Sequence, residues 1–354
     1  MPRRVTMKEV AAKAQVSAST VCRALNADPQ IPESTRLRVK KIADNLGYLP
    51  DPLISAFAQR RRGSSAASDI TTLAYITNFE TADEWMKNPF YALVFQGAQE
   101  QARRNGFKLE HHWLGAPGMT GERLSRILHN RGIVGACIAP MPSVRSRLNL
   151  DWPRFSCVTI GHSLIRPELH RTTPHHFHGI LTANRKLWRL GYSRIGLCLY
   201  DRTSSRVDDL WLAGALLAQR YHPHVTTLPF LFTDDTLRDI PAWIRRERLE
   251  VVVSDNQIVL DEMRRQGLES PGQVDYATLN WVRTEPEIAG IDQRPAAIGA
   301  TTIDTLIAQI RRSERGIPKI PVSSMVECTW VNGPSLRRHL PLTKPQPPPD
   351  APTA

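Results

Sequence analysis

The 354-residue sequence predicts a small all-α head joined to a larger α/β core built as two lobes. Three observations carry that reading. Residues 6–26, TMKEVAAKAQVSASTVCRALN, have the pattern of two short helices around a tight turn. Residues 70–340 alternate short apolar runs with helical stretches, the signature of parallel sheets covered by helices on both faces. Charge divides between the same two regions. Residues 1–62 hold twelve Lys/Arg against five Asp/Glu, whereas the remainder holds 34 against 29. Over half of the net charge of +12 therefore lies in about a sixth of the chain. A concentrated basic segment beside a nearly balanced body implies a polyanion partner for that segment alone.

In the head, Thr6 precedes the first helix and Glu9 stands three residues later, a capping box. Val10, Ala11 and Ala14 line one face of that helix, and Gln15-Val16 break it. Ser17 caps the second helix, whose Val21 and Leu25 face the first. Ala18, Ser19, Thr20 and Arg23 are left pointing outward. Small polar residues and an arginine on the free face of a helix suit the DNA major groove, so the hairpin reads as a helix-turn-helix. The alternative, a helical hairpin of some other domain, leaves the basic flanks unexplained. Asn26-Ala27-Asp28-Pro29 is a turn, and Val39, Ile42, Ala43 and Leu46 repeat at helical spacing to close a three-helix core ending at Gly47. Tyr48 to Pro52 forces an extended crossing. Residues 53–62, LISAFAQRRR, form a short amphipathic piece with a basic end, and GSSAAS follows as a flexible linker.

Further along, strands are expected at 73–79, 107–114, 133–140, 157–161, 194–200, 249–255 and 276–281. Helices are expected at 90–107, around RLSRILHNRG, at 178–192, around VDDLWLAGALLAQR and around DEMRRQGL. So many strand–helix units exceed one small sheet and fit two similar lobes. The tail 341–354, PLTKPQPPPDAPTA, is proline-rich, is expected to be disordered, and lacks leucine heptads.

Other classes find little support. The N-terminus is polar with no apolar signal region, and no run of about 18 apolar residues occurs, so a cytoplasmic protein without membrane contact is expected. Cys22, Cys137, Cys157, Cys198 and Cys328 form no CxxC pair and read as small hydrophobes in a reducing compartment, with no metal site. The pairs His111-His112 and His175-His176 lack helical ligand spacing and read as surface residues. No GxSxG, P-loop or GxGxxG motif appears, so neither enzyme activity nor a cofactor is expected.

Residues 6–26, in the pattern TxxxVAxxAxVSxxTVxRxLN, resemble the N-terminus of the lactose repressor (LacI/GalR) family of bacterial transcription regulators. The resemblance continues through TRLRVKKIADNLGYLPDP and returns in LWRLGYSRIGLCL, VVVSDNQIVLDEMRRQGL and GIDQRPAAIGATTIDTLIAQI. It implies a helix-turn-helix DNA-binding domain at 1–52, a hinge helix and linker at 53–69, and a periplasmic-binding-protein-like effector-binding and dimerisation core at 70–340. Lobe 1 is expected at about 70–165 and 293–320, and lobe 2 at about 166–292 and 321–340. It also implies a homodimer on a pseudo-palindromic double-stranded operator, its affinity modulated by a small-molecule effector, a sugar or sugar derivative. A solute-binding protein of the same core fold is the second reading, disfavoured by the basic head.

The resemblance puts recognition on Ala18, Ser19 and Arg23, and phosphate or capping roles on Thr6, Ser17, Thr20 and Asn26. Tyr48 of the crossing and Arg60 after the hinge join the DNA-binding set. Phe57 stands where the family's hinge presents a Leu that wedges between minor-groove bases, a role Phe also serves. Two departures touch the core. Trp211 stands where the family often has an Arg, and Asp255-Asn256-Gln257 exchanges the first two residues of the family's Asn-Asp-Gln triplet. Ligands of such folds bind at the carboxyl ends of strands, between lobes. By position the effector candidates are Asn78, Phe90, Tyr91, Arg206, Trp211, Asn256 and Trp281. Aromatic faces stack on a sugar's C–H face, while Asn and Arg bind hydroxyls; core packing is the plainer role for Trp211, Trp281, Phe90 and Tyr91.

Overall fold

A computed structural model describes residues 6–25, 30–46 and 71–337. The chain divides into two compact units, residues 1–69 and 70–354. In the first, α1 (Met7–Ala14), α2 (Ala18–Leu25) and α3 (Glu33–Leu46) pack around Val10, Ala14, Val21, Val39 and Ala43. The expected facing residues thus meet, and Ala24 and Ile31 join them. The reversal between α1 and α2 turns on Gln15, which is left-handed at φ 54°. The expected hinge, 53–69, and tail, 341–354, lie outside the described residues.

The second unit holds two six-stranded sheets. In chain order its elements begin with β1 (Thr72–Thr77), α4 (Pro89–Arg104), β2 (Lys108–Trp113), α5 (Gly121–Asn130) and β3 (Gly135–Ile138). Then come β4 (Ser146–Arg147), β5 (Ser156–Ile160), β6 (Leu164–Arg166), β7 (His170–Pro174), α6 (His176–Arg189), β8 (Arg194–Tyr200) and α7 (Asp201–Arg206). They continue with α8 (Leu210–Tyr221), β9 (Thr226–Phe232), α9 (Ile240–Glu247), β10 (Val251–Ser254), α10 (Ile258–Arg265) and β11 (Asp275–Thr278). Last are β12 (Ala289–Asp292), α11 (Pro295–Arg311), β13 (Ser323–Val326) and β14 (Thr329–Val331). The first sheet is ordered β13-β7-β5-β3-β1-β2 and is wholly parallel. The second is ordered β14-β12-β11-β10-β8-β9, with only β14 antiparallel.

Both sheets are buried on two faces, which is why their strands read as unbroken apolar runs. Along β1, Leu73 and Tyr75 meet α4 and α11, while Ala74 and Ile76 meet α5. In the second sheet, Leu197 and Val253 pack under α6 and α8, while Cys198 and Val252 pack over α9 and α10. Helices α4 and α11 touch backbone to backbone. A Cβ built on Gly97 would lie 2.0 Å from the Ala296 carbonyl oxygen, and one on Gly299 would lie 2.0 Å from that of Val94.

The chain passes between lobes three times, at residue 175, at 293–294 and at 327–328. This corrects two expected boundaries, 166 and 321. Residues 170–174 belong to the first lobe because β7 pairs with β5, and residues 323–326 pair with β7 in the same sheet. Both are short strands whose polar residues hide the periodic signal. The strands and helices that were expected lie within a few residues of their predicted places, whereas β4, β6, β9, β12, β14, α7, α9 and α11 were not assigned from the sequence.

Candidate nucleic-acid interface and ligand cleft

The start of α2 is ordered by its own side chains. The Thr20 N–H donates to Ser17 Oγ at 3.1 Å, and the Ser17 hydroxyl lies 2.8 Å from those of both Ser19 and Thr20. The cap fixes where the helix begins and hence which residues its free face presents. Ser19 is exposed and Thr20 half-buried. Arg23 is half-buried and donates from Nη2 to Gln30 Oε1. Ala18 departs from expectation: its methyl is half-buried against the head core rather than pointing outward. One turn before Val21, it sits too close to the helix–helix seam to be free. At α1, the Thr6 N–H donates to Glu9 Oε2 at 2.7 Å and its hydroxyl donates to the same oxygen at 3.0 Å. Exposed Lys13, Arg38, Lys40 and Lys41 add positive charge to the head. Asn26, Tyr48, Phe57 and Arg60 lie outside the described residues.

In the core, a cavity of about 300 Å³ opens between the lobes at the carboxyl ends of their strands. That position is the usual one for ligands in doubly wound sheets, and the volume is at the small end of the ligand-pocket range, about 300–1,000 Å³. Phe90, Tyr91, Arg206, Trp211 and Asn256 line it; Asn78 and Trp281 do not. Asn78 is exposed beyond the end of β1. Trp281 is half-buried, its backbone N–H bonded to Ile291 in the turn between β11 and β12. The rule of strand ends selects a depth in the fold but not a side of the strand, which is why these two fall away. Trp211 is 2% exposed and belongs to the lobe's hydrophobic core, with its ring edge-on to His176 at 4.8 Å.

Two polar contacts join the lobes at the cavity. Arg206 Nη2, at the end of α7, donates to the Tyr91 hydroxyl of α4 at 2.8 Å. His162, just beyond β5, holds Nδ1 3.0 Å from Asp208 Oδ2. Asp208 and Asp209 are both left-handed, at φ 54° and 53°, a conformation that Asp tolerates better than most residues. The Ser204 hydroxyl donates to Asp209 Oδ1 at 2.6 Å and steadies the turn.

Asp255 is buried and accepts the Tyr200 N–H at 2.9 Å; burial pushes its carboxyl up to about 6. The Asn256 Oδ1 accepts the Ile258 N–H at 3.1 Å in a turn just ahead of α10. The Asn280 amide donates to the Asp255 carbonyl at 2.6 Å, and Gln293 donates to the Leu279 carbonyl at 2.7 Å. The Gln257 side-chain amide faces the Glu285 carboxylate. Burial raises Glu285, and the nearby Asp261 adds to that.

The histidines reverse an expectation. His176 is 5% exposed and lines the cavity, and burial, with His162 and His175 beside it, pushes its imidazole down to about 3. His111 and His112 are half-buried in β2, with His111 Nε2 2.7 Å from Thr77 Oγ1. His176 opens α6 directly behind the buried end of β7, whereas His111 and His112 lie within β2. His162 escaped the sequence reading, and Asp255 entered it only as part of the altered triplet and not as a lining residue. Gly161-His162 directly follows the apolar run CVTI, and Asp255 ends LEVVVS, so the rule that chose Asn78 would have reached them. Among the described residues no group of three or more His, Cys, Asp or Glu side chains could hold a metal ion, and no helix is long and apolar enough to cross a membrane.

Residues 6–51 match the family model described as bacterial regulatory proteins, lacI family. The HTH-type transcriptional repressor CytR of Escherichia coli (strain K12) is 32% identical over 102 residues, covering 29% of this chain and 26% of that one. The HTH-type transcriptional regulator CelR of Thermobifida fusca is 29% identical over 136 residues, 38% of this chain and 37% of that one. The chain thus spans about a quarter to two fifths of the curated relatives it matches. Among solved structures, a transcriptional regulator CelR–cellobiose complex aligns over 94% of this chain and 100% of its own, with a TM-score of 0.58 and 21% identity. The lac repressor dimer bound to operator and the anti-inducer ONPF aligns over 93% and 98%, with a TM-score of 0.53 and 16% identity. These likenesses establish the two-lobed fold of the core.

Proposed function

We propose that the chain is a lacI-family DNA-binding transcription regulator, a repressor, answering to a small effector in the inter-lobe cavity, a reading supported by the match of residues 6–51 to that family's model. The observation that carries this reading is the capped helix α2 with Ser19, Thr20 and Arg23 along its free side, in a head that holds over half of the chain's excess positive charge. The proposed partner is double-stranded DNA, and the proposed assembly is a homodimer whose two heads read a pseudo-palindrome. The proposed effector is a sugar or sugar derivative, in keeping with the cellobiose named for the CelR structure. We propose a regulator without catalytic activity, in keeping with the regulators and repressors it resembles.

The test is fluorescence anisotropy with the DNA upstream of the protein's own coding sequence. Binding should be tight, should weaken steeply with salt, and should shift when an effector sugar is added. Arg23→Ala should weaken binding by about 1–3 kcal/mol if the guanidinium meets a base edge. Equal affinity for that DNA and for a scrambled duplex would reject the reading.

A further inference from the structure

We propose that Gln30 is a positioning residue for DNA reading: it sets the Arg23 guanidinium in the plane that meets the O6 and N7 of one guanine in each half-site. This rests on the DNA-binding reading above and deepens it.

Arg23 stands in the last turn of α2. Its side chain is long and flexible, whereas a two-donor contact to guanine demands one plane and one direction of the guanidinium. A side chain that is ordered only on binding weakens the contact by the entropy it loses, and one ordered beforehand does not. Ordering it beforehand takes a second protein group, anchored independently of the DNA.

Gln30 supplies that group. Arg23 Nη2 donates to Gln30 Oε1, a bond that spans seven positions and ties α2 to the turn ahead of α3. Both ends are carried by backbone fixed to one core. Val21 and Ala24 lie on either side of Arg23 and are buried, and Ile31, next after Gln30, is 9% exposed in the same cluster. Gln30 itself is exposed and Arg23 half-buried, so the bond lies at the surface of the head rather than inside it.

The guanidinium is a planar fork of five N–H donors, and Nη2 belongs to both of its two-donor edges. A bond through Nη2 therefore constrains the plane of the fork and with it the direction of both edges. Guanine presents two acceptors side by side in the major groove, and adenine an acceptor beside a donor. A held two-donor edge distinguishes them. An arginine that turns freely can settle on a phosphate instead, which carries no sequence information. The roles divide accordingly: Arg23 determines that the base is guanine, and Gln30 determines how strictly.

The experiment is selection of duplexes by the full chain from a random double-stranded pool, followed by anisotropy on the selected duplex and its single-base variants at fixed salt. The parent should select a guanine in each half that is lost from the profile of Arg23→Ala, and replacing it should cost about tenfold in affinity. Gln30→Ala should cut the preference at that same position to about threefold or less and leave the other positions as they are. Gln30→Glu keeps the acceptor and should keep the guanine preference, while its added negative charge weakens binding to all sequences alike. Arg23→Ala combined with Gln30→Ala should match Arg23→Ala alone. An unchanged profile in Gln30→Ala overturns the proposal. So does a loss at a different position, which makes Gln30 a reader in its own right, or an equal loss at every position, which makes it merely structural. Tighter binding by Gln30→Ala overturns it too, because the bond then competes with DNA for Arg23. All four outcomes leave the DNA-binding reading standing. Selection of no sequence by the parent overturns that reading and the proposal together.

Discussion

Replacing His176 with Phe should remove about 2 kcal/mol of acid sensitivity from the core, by the linkage between proton uptake and stability. The folded imidazole is pushed down to about 3 by burial, against about 6.5 for a free histidine. The unfolded ring takes up a proton as pH falls below about 6.5 and the folded ring does not. This contribution to stability is therefore fully present above that value and is lost as pH falls toward 3. At pH 5.0 the unfolded state is favoured by about 2 kcal/mol relative to pH 7.5, and the whole span amounts to about 5 kcal/mol. His176 is almost fully buried, so solvent screening removes little of this. Phe keeps a ring edge for Trp211 and cannot titrate. Urea unfolding followed by tryptophan fluorescence is the assay, because all eight Trp lie at residue 85 or beyond and report on the core alone. The parent should lose about 2 kcal/mol more than the variant between the two pH values. If both lose the same amount, the buried ring is not what makes the core acid-sensitive.

Asp255 should act with the opposite sign. Its carboxyl, raised to about 6, gives stability that is present at low pH and lost as pH rises through 6. Asp255→Asn should therefore gain stability relative to the parent between pH 5.0 and 7.5, and denaturation curves in which parent and variant change alike would contradict it. Gly299→Ala forces a Cβ to within 2.0 Å of the Val94 carbonyl oxygen, and should destabilise the core by about 3 kcal/mol or more in the same urea assay. Ser17→Ala removes the acceptor for the Thr20 N–H and should destabilise α2 by about 1 kcal/mol. Hydrogen exchange at the Val21 amide should then be roughly fivefold faster, and an unchanged rate would deny the cap any role.

How much of this was legible in the sequence depended on the range of the interactions involved. Ser17, Thr6 and Glu9 act on neighbours three residues away, so a local pattern reveals them. Strands such as β8 and β10 are apolar on both faces and announce themselves by composition alone. Strand β7, His-Arg-Thr-Thr-Pro, does not, because its polar residues are buried only through pairing with β5 and β13. The same limit applies in the cleft. Arg206 and Tyr91 could each be suspected from a strand or helix end, but their bond spans 115 positions. Asp208 carried no sequence signal at all, since its part depends on a left-handed turn that brings it to His162. Trp281 and Asn78 show the reverse error, being at the right depth but on the wrong side.

The three crossings between lobes have a bearing on how the protein is made. The first sheet needs residues 323–326 for its edge, and the second needs residues 329–331. Neither sheet can be completed on the ribosome until the chain has been translated past these positions. Among the described residues, the helices of the head end at residue 46 and their core is made of residues 7–46. At about 5–20 residues per second, the interval between the two is roughly 15–60 seconds. Throughout it, a finished basic head leads nascent strands that have not found their neighbours. Chaperone demand should accordingly fall on the core, and slowing translation near residue 320 should raise aggregation more than slowing it near residue 50.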